Sequence, residues 1–268
     1  VGRVVAEARE MQDWGVHFPA PKIDIDAVRS RKEKVIGALT GGLAQLAKRR
    51  NVEVVQGQAI FTASNTIEVV QKDAGSQTLT FDHCILASGS RPARIPAFDI
   101  GSPRVMDSTA ALELEDVPDS LLVIGGGYIG LEMGTVYAEL GSRVSVVELT
   151  DGLLPGADPD LVKPLHKRLK GLFEAIRLNT KVVGLKDIGN GVEVSFEGPD
   201  GETTETFSRV LVAVGRRPNS DGLGLENTNV VVDPKGFVEV DKQQRTGDAH
   251  IFAIGDVCGE PMLTHRAS

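Results

Sequence analysis

Residues 125–130 read Gly125-Gly126-Gly127-Tyr128-Ile129-Gly130, a G-x-G-x-x-G spacing. Just before it stands Leu121-Leu122-Val123-Ile124, an unbroken apolar run of the kind found in parallel strands covered on both faces. Just after it, Tyr128 to Leu140 reads as a helix stopped by Gly141. In that setting each glycine has its own task. Gly125 permits the tight turn, Gly127 lets backbone approach a pyrophosphate, and Gly130, lacking a Cβ, lets the helix lie close to the strand. The pyrophosphate then rests on unpaired N–H groups at the positive end of the helix. Glu148 lies 18 positions beyond Gly130, at the end of a second strand from Arg143. A carboxylate there accepts hydrogen bonds from the adenosine ribose and repels a 2′-phosphate. No arginine follows within several residues to receive such a phosphate. The implied ligand is NAD rather than NADP; a glycine turn beside an ordinary surface glutamate is the alternative that the joint context disfavours.

The surrounding elements are those needed to hold this corner. Val4 to Trp14 and Ala27 to Arg50 read as helices, with Pro19 and Pro21 between them; the pair Gly41-Gly42 inside the second helix implies a close backbone approach. Strands are expected at Val52–Val55, Gln58–Thr62, Thr66–Val70, Thr78–Phe81 and Cys84–Ala87, and a short helix at Ser108–Leu114. After the second strand, a helix from Asp158 to Lys170 has Asp158 at its N-cap and cations near its end. Thr180 to Phe207 reads as a three-stranded antiparallel meander, followed by the buried strand Val210–Val214 and, near the end, Ile251–Ile254. Strands alternating with helical crossovers make this an α/β chain.

Composition excludes other classes. A net charge of −8 with no basic stretch argues against nucleic acid as a partner. The longest apolar runs fall far short of a membrane span. Cys84 and Cys258 are 174 positions apart, too few and too distant for a disulfide scaffold or a zinc site, and no metal site is expected. Both read as buried structural thiols.

Three segments, Val123–Glu132, Val210–Asn219 and Thr246–Asp256, fall in the order and spacing of the flavin-dependent pyridine nucleotide-disulfide oxidoreductases, which the chain resembles from end to end. It is most similar to the branch that oxidises dihydrolipoamide for the 2-oxo acid dehydrogenase complexes. The resemblance implies a Rossmann-like NAD-binding domain (113–242) inserted in an incomplete Rossmann-like FAD-binding domain (1–112 and 243–268). It places Gly125, Gly126, Gly127, Tyr128, Ile129, Gly130, Leu131, Glu132, Glu148, Val182 and Gly215 on NAD. It places Ala59, near the adenine, on FAD, together with Ser88, Gly89 and Ser90, the last stretch before the chain leaves the flavin domain. Ser88 stands where the family often has threonine, which keeps the hydroxyl. Asp256 matches the acid on the ribityl chain, and Met262, Leu263, Thr264 and His265 match the helix start facing the flavin ring. Tyr128 resembles a residue that covers the flavin until nicotinamide displaces it. Glu132 resembles one that pairs with a lysine and tunes charge where the hydride passes.

The family's first G-x-G-x-x-G, its C-x-x-x-x-C redox pair and its C-terminal dimerisation domain with a catalytic His and Glu do not occur in these 268 residues. The expectation is therefore the middle of a longer enzyme, a homodimer of the bacterial cytoplasm or mitochondrial matrix, with no dihydrolipoamide turnover by these 268 residues alone. Two other readings stand beside it. One keeps the fold and changes the substrate, as in glutathione reductase, mercuric reductase or an NADH oxidase. The other is a non-catalytic NAD-binding module.

Overall fold

The computed structural model describes residues 2–72 and 75–262. The chain falls into two compact units, Val1–Ala38 with Pro92–Gly215, and Leu39–Arg91 with Arg216–Ser268.

The first unit is built on a five-stranded, all-parallel sheet in the order Val105–Met106, Arg209–Val212, Ser120–Ile124, Arg143–Val147, Ala175–Arg177. Side chains alternate between two cores, which is why these strands are apolar without interruption. Leu121, Val123, Val144, Val146 and Leu211 pack into a core completed by Leu131 and Tyr137 of the helix Tyr128–Leu140 and by Leu169 and Phe173. Leu122, Ile124, Val147, Val210 and Val212 enter a second core with Val192, Val194, Phe196 and Phe207 of an antiparallel meander. That meander runs Lys181–Asp187, Val192–Gly198, Gly201–Phe207, as the turn residues foretold. Burying each such side chain contributes about 1.5–3 kcal/mol, enough to fix the corner that follows Ile124. Asp158 caps the helix Pro159–Leu172 by accepting from the Asp160 N–H at 2.9 Å. Gly141, left-handed at φ +116°, ends the helix Tyr128–Leu140.

From Ser120–Ile124 the chain steps outward to Arg143–Val147 and Ala175–Arg177, then returns to the other side as Arg209–Val212. Strand order thus reverses between Ser120–Ile124 and Arg209–Val212. The carboxyl ends of strands beside such a reversal are where open α/β sheets bind ligands.

In the second unit, Gln58–Ala63, Thr66–Gln71 and Gly75–Thr80 form an antiparallel sheet, and Cys84–Leu86 pairs in parallel with Ile251–Ala253. Phe61, Leu86, Leu225, Val238, Ile251, Ala253 and Val257 form its core. Asp248, 2% exposed, ties three segments together. It accepts from the Ser64 hydroxyl, from the Asn229 N–H at 3.0 Å and from the His250 N–H at 3.0 Å. Burial pushes its carboxyl up, but these hydrogen bonds outweigh burial and hold it below the usual carboxylate range. A carboxyl depressed in the fold stabilises above the unfolded-state value of about 4 and loses that stabilisation as pH falls through the folded value. Asp248→Ala should cost about 2–3 kcal/mol at neutral pH through three orphaned donors. Urea unfolding from pH 7 to pH 3 should show a shallower acid limb for Asp248→Asn than for the natural protein.

Two sequence expectations need correcting. Val52–Val55 is not a strand: no described segment pairs with it, and Val52 and Val54 are exposed. Gly41 and Gly42 sit within the helix Ile25–Arg49 with open space where a Cβ would stand, so no close approach explains them. The first helix is Gly2–Glu10 continued by a 3-10 turn, Met11–Trp14. No described helix is long and apolar enough to cross a membrane.

Candidate functional site

Three strand ends meet at the reversal point of the first unit. After Ile124 the chain turns at Gly125, whose φ is +107°. Its N–H donates to Val147 O at 2.9 Å, and the Ala213 N–H donates to Ile124 O at 2.8 Å, so the turn is held by both neighbouring strands. A Cβ on Gly125 would stand 2.4 Å from Ala213 O; one on Gly130 would stand 2.3 Å from Gly125 O and 3.1 Å from Val123. These two glycines are demanded by the fold. Gly127 is different. A Cβ there meets nothing within 4 Å, and its φ of −80° suits any residue. It is also the N-cap of the helix Tyr128–Leu140 and offers no side chain to the first N–H groups. Small size at 127 thus serves the space outside the chain, beside free helix donors and a positive helix end.

Glu148 is 8% exposed and reaches back across this corner. Its Oε2 accepts from the Gly126 N–H at 2.7 Å. Its Oε1 accepts from both the N–H and the hydroxyl of Thr150, each at 2.9 Å. No lysine or arginine neutralises it among the ion pairs of the described residues. The negative charge is held at the rim by neutral donors, where a ribose hydroxyl can meet it and a phosphate is repelled. Of two described hollows, one of about 400 Å³ lies by Ser120 and Arg143 at strand starts, and one of about 490 Å³ lies by Asp233, Glu239 and Cys258.

The second unit gathers its own polar group. Asp256 Oδ2 accepts from the Ser90 hydroxyl at 2.5 Å. Arg216 donates through Nε to Ser90 Oγ and through Nη2 to Ser90 O, both at 2.6 Å. The Ser88 hydroxyl donates to Asn219 O at 2.7 Å, Asn219 Nδ2 returns a bond to Ser88 O at 2.9 Å, and the Asn219 N–H donates to Gly89 O at 2.9 Å. Ser88, Gly89, Ser90 and Asp256, far apart in sequence, are thus brought together. Arg216 and Asn219 received no role from sequence, although both lie in the Val210–Asn219 segment; their polar side chains just after a buried strand were the available signal.

A match to the family described as pyridine nucleotide-disulphide oxidoreductase runs over residues 5–268. The chain belongs to this family.

Among individual members of the pyridine nucleotide-disulphide oxidoreductases, the dihydrolipoyl dehydrogenase of Vibrio cholerae is 50% identical over 267 residues, which is 99% of this chain and 56% of that protein. The crystal structure of LpdA from Mycobacterium tuberculosis superposes with a TM-score of 0.88 at 26% identity, covering 99% of this chain and 58% of the other. The HOCl-induced flavoprotein disulfide reductase RclA from Escherichia coli gives 0.83 at 28% identity, covering 98% and 57%. The chain therefore spans a little over half the length of the relatives it matches.

The remaining residues singled out by family resemblance are scattered in character. Tyr128 and Glu132 are exposed, on the first turns of the helix Tyr128–Leu140. Ile129 is half-buried, and Leu131 packs into the core. Gly215 is exposed and takes a φ of +119°. Val182 is buried in the second core of its unit, so its side chain offers nothing to a ligand. Ala59 is exposed on the strand Gln58–Ala63, opposite Val69. Met262 is half-buried, and Leu263, Thr264 and His265 lie outside the described residues. Neither cysteine is fully buried, contrary to expectation: both are half-exposed. Burial nonetheless pushes the Cys84 thiol up, away from the thiolate form that does redox chemistry. The Cys258 thiol donates to Gly255 O at 3.3 Å.

Proposed function

We propose that this chain carries the NAD site and part of the FAD site of a dihydrolipoyl dehydrogenase, with domain limits 1–112, 113–242 and 243–268. One observation carries the reading. Gly127 has open space around it at a helix start, next to an uncompensated Glu148, in a chain half identical to a protein of that name. The helix N–H groups after Gly127 hold the NAD pyrophosphate, and Glu148 accepts from the adenosine ribose. Ser90, held by Arg216, orients Asp256 so that Oδ1 remains to accept from the ribityl chain of FAD. The residues present fit both groups. Bound FAD supplies the electron carrier between a dithiol and nicotinamide.

Glu132, exposed near the helix start, holds negative charge close to the nicotinamide end of NAD, and Tyr128 gates access to the flavin. The electron donor is dihydrolipoamide on the lipoyl domains of 2-oxo acid dehydrogenase complexes, oxidised by thiol–disulfide exchange. The protein acts as a homodimer, in the bacterial cytoplasm or the mitochondrial matrix, and contributes to cell redox homeostasis.

The test is dihydrolipoamide-dependent NAD⁺ reduction by the protein that carries this chain. Turnover with NAD⁺ is expected. In Glu148→Ala the KM for NAD⁺ should rise about tenfold, the equivalent of 1–2 kcal/mol for a lost ribose contact, while kcat changes little. An unchanged KM would remove the ribose role, and turnover with glutathione disulfide or mercuric ion in place of lipoamide would reassign the substrate.

A further inference from the structure

The stretch after the acid strand is bent back onto the glycine corner. Thr150 gives two donors to one oxygen of Glu148, its N–H and its hydroxyl, both at 2.9 Å. The Asn179 N–H donates to Thr150 O at 2.9 Å, which fixes the threonine backbone. Four residues later the Leu154 N–H donates to Gly126 O at 2.8 Å. Leu154 adopts a left-handed φ of +51° to do so, a conformation that a leucine takes only when its surroundings impose it. Leu153, 3% exposed, packs where a Cβ on Gly126 would come within 2.7 Å of it. Residues 150–154 therefore hold both partners of the Gly126–Glu148 hydrogen bond.

From this arrangement we propose that Thr150 is a positioning residue for dinucleotide binding: its hydroxyl fixes the plane of the Glu148 carboxylate at the ribose site. The inference rests on the reading of Glu148 as the ribose acceptor. An ionised carboxylate offers about four lone-pair directions. Gly126 takes one on Oε2, and Thr150 takes two on Oε1. Among the described hydrogen bonds the direction left without a donor is on Oε2, and the proposal gives that single, pre-set acceptor to the ribose hydroxyl. The Thr150 hydroxyl has one proton and a competing acceptor, Gly152 O at 3.0 Å. A charged acceptor wins such a contest, so the proton goes to Glu148. Pre-setting removes the side-chain ordering that binding would otherwise require. Without the hydroxyl, only the Gly126 and Thr150 N–H groups remain, and the carboxylate gains freedom to rotate.

The experiment is fluorescence titration of the purified protein with NADH, comparing Thr150→Val, Thr150→Ser, Glu148→Ala and the double variant Thr150→Val/Glu148→Ala. Valine keeps the shape of threonine and removes the donor. Thr150→Val should weaken NADH binding about fivefold, the size of one typical net hydrogen bond, and Thr150→Ser should restore binding to within about twofold of the natural protein. On the Glu148→Ala background, Thr150→Val should add no further loss, because the hydroxyl acts only through the carboxylate. Normal NADH affinity in Thr150→Val, beside a weakened Glu148→Ala, overturns this inference and leaves the ribose reading standing. A loss that persists at full size in the double variant also overturns it, since the hydroxyl would then act on the fold. Normal affinity in Glu148→Ala overturns both.

Discussion

Gly125→Ala should lower the stability of the first unit by about 3–5 kcal/mol, from the strain of positive φ and from overpacking together. The turn has no freedom to relax. Its φ is +107°, and the added Cβ would stand 2.4 Å from Ala213 O and 2.9 Å from Ala213 C. These are backbone atoms of a strand end already tied by the Ala213 N–H to Ile124 O. Against a typical net stability of about 5–15 kcal/mol, a loss of this size takes about a fifth of the margin or more. Urea unfolding midpoints measure it directly. A change under about 1 kcal/mol would mean that the turn is not built as described.

Gly127→Ala should do the reverse. Nothing lies within 4 Å of the new Cβ, and φ is an ordinary −80°. Exchanging glycine for alanine at an N-cap costs under about 1 kcal/mol, so the unfolding midpoint should barely move. The methyl group, however, enters the space where the pyrophosphate must approach the helix start. We expect NADH affinity to fall about 30- to 100-fold, equivalent to 2–3 kcal/mol. A stable Gly127→Ala variant that binds NADH normally would place the dinucleotide elsewhere. The opposite responses of two glycines two residues apart separate what the fold needs from what the ligand needs.

Much of this corner was legible in the sequence because its signals are local. An apolar run, a glycine spacing and a helix stop lie within residues 121–141, and Glu148 follows at a fixed distance along the next strand. The meander was legible for the same reason, since Gly189-Asn190-Gly191 and Gly198-Pro199-Asp200-Gly201 mark its turns. What escaped depends on partners remote in sequence or on backbone direction. Val52–Val55 has the composition of a strand, but a strand forms only against a neighbour, and none of the described segments supplies one. Gly41-Gly42 looked like a packing contact, although nothing in the composition of a helix says what lies opposite. Thr150 carries no motif; its grip on Glu148 arises because the loop folds back, with Leu154 in a conformation that leucine rarely adopts. The joining of Ser90, Arg216 and Asp256 spans 166 residues and was visible only as resemblance, with Arg216 unassigned.

The central claim is that NAD(H) binds at the glycine corner with its adenosine ribose on Glu148. Parallel titrations of the purified protein with NADH and NADPH test it most directly, because the two differ only by the phosphate that Glu148 should repel. NADH should bind at least about 30-fold more tightly, the equivalent of 2 kcal/mol of like-charge repulsion. Equal affinities, or tighter binding of NADPH, would contradict the account.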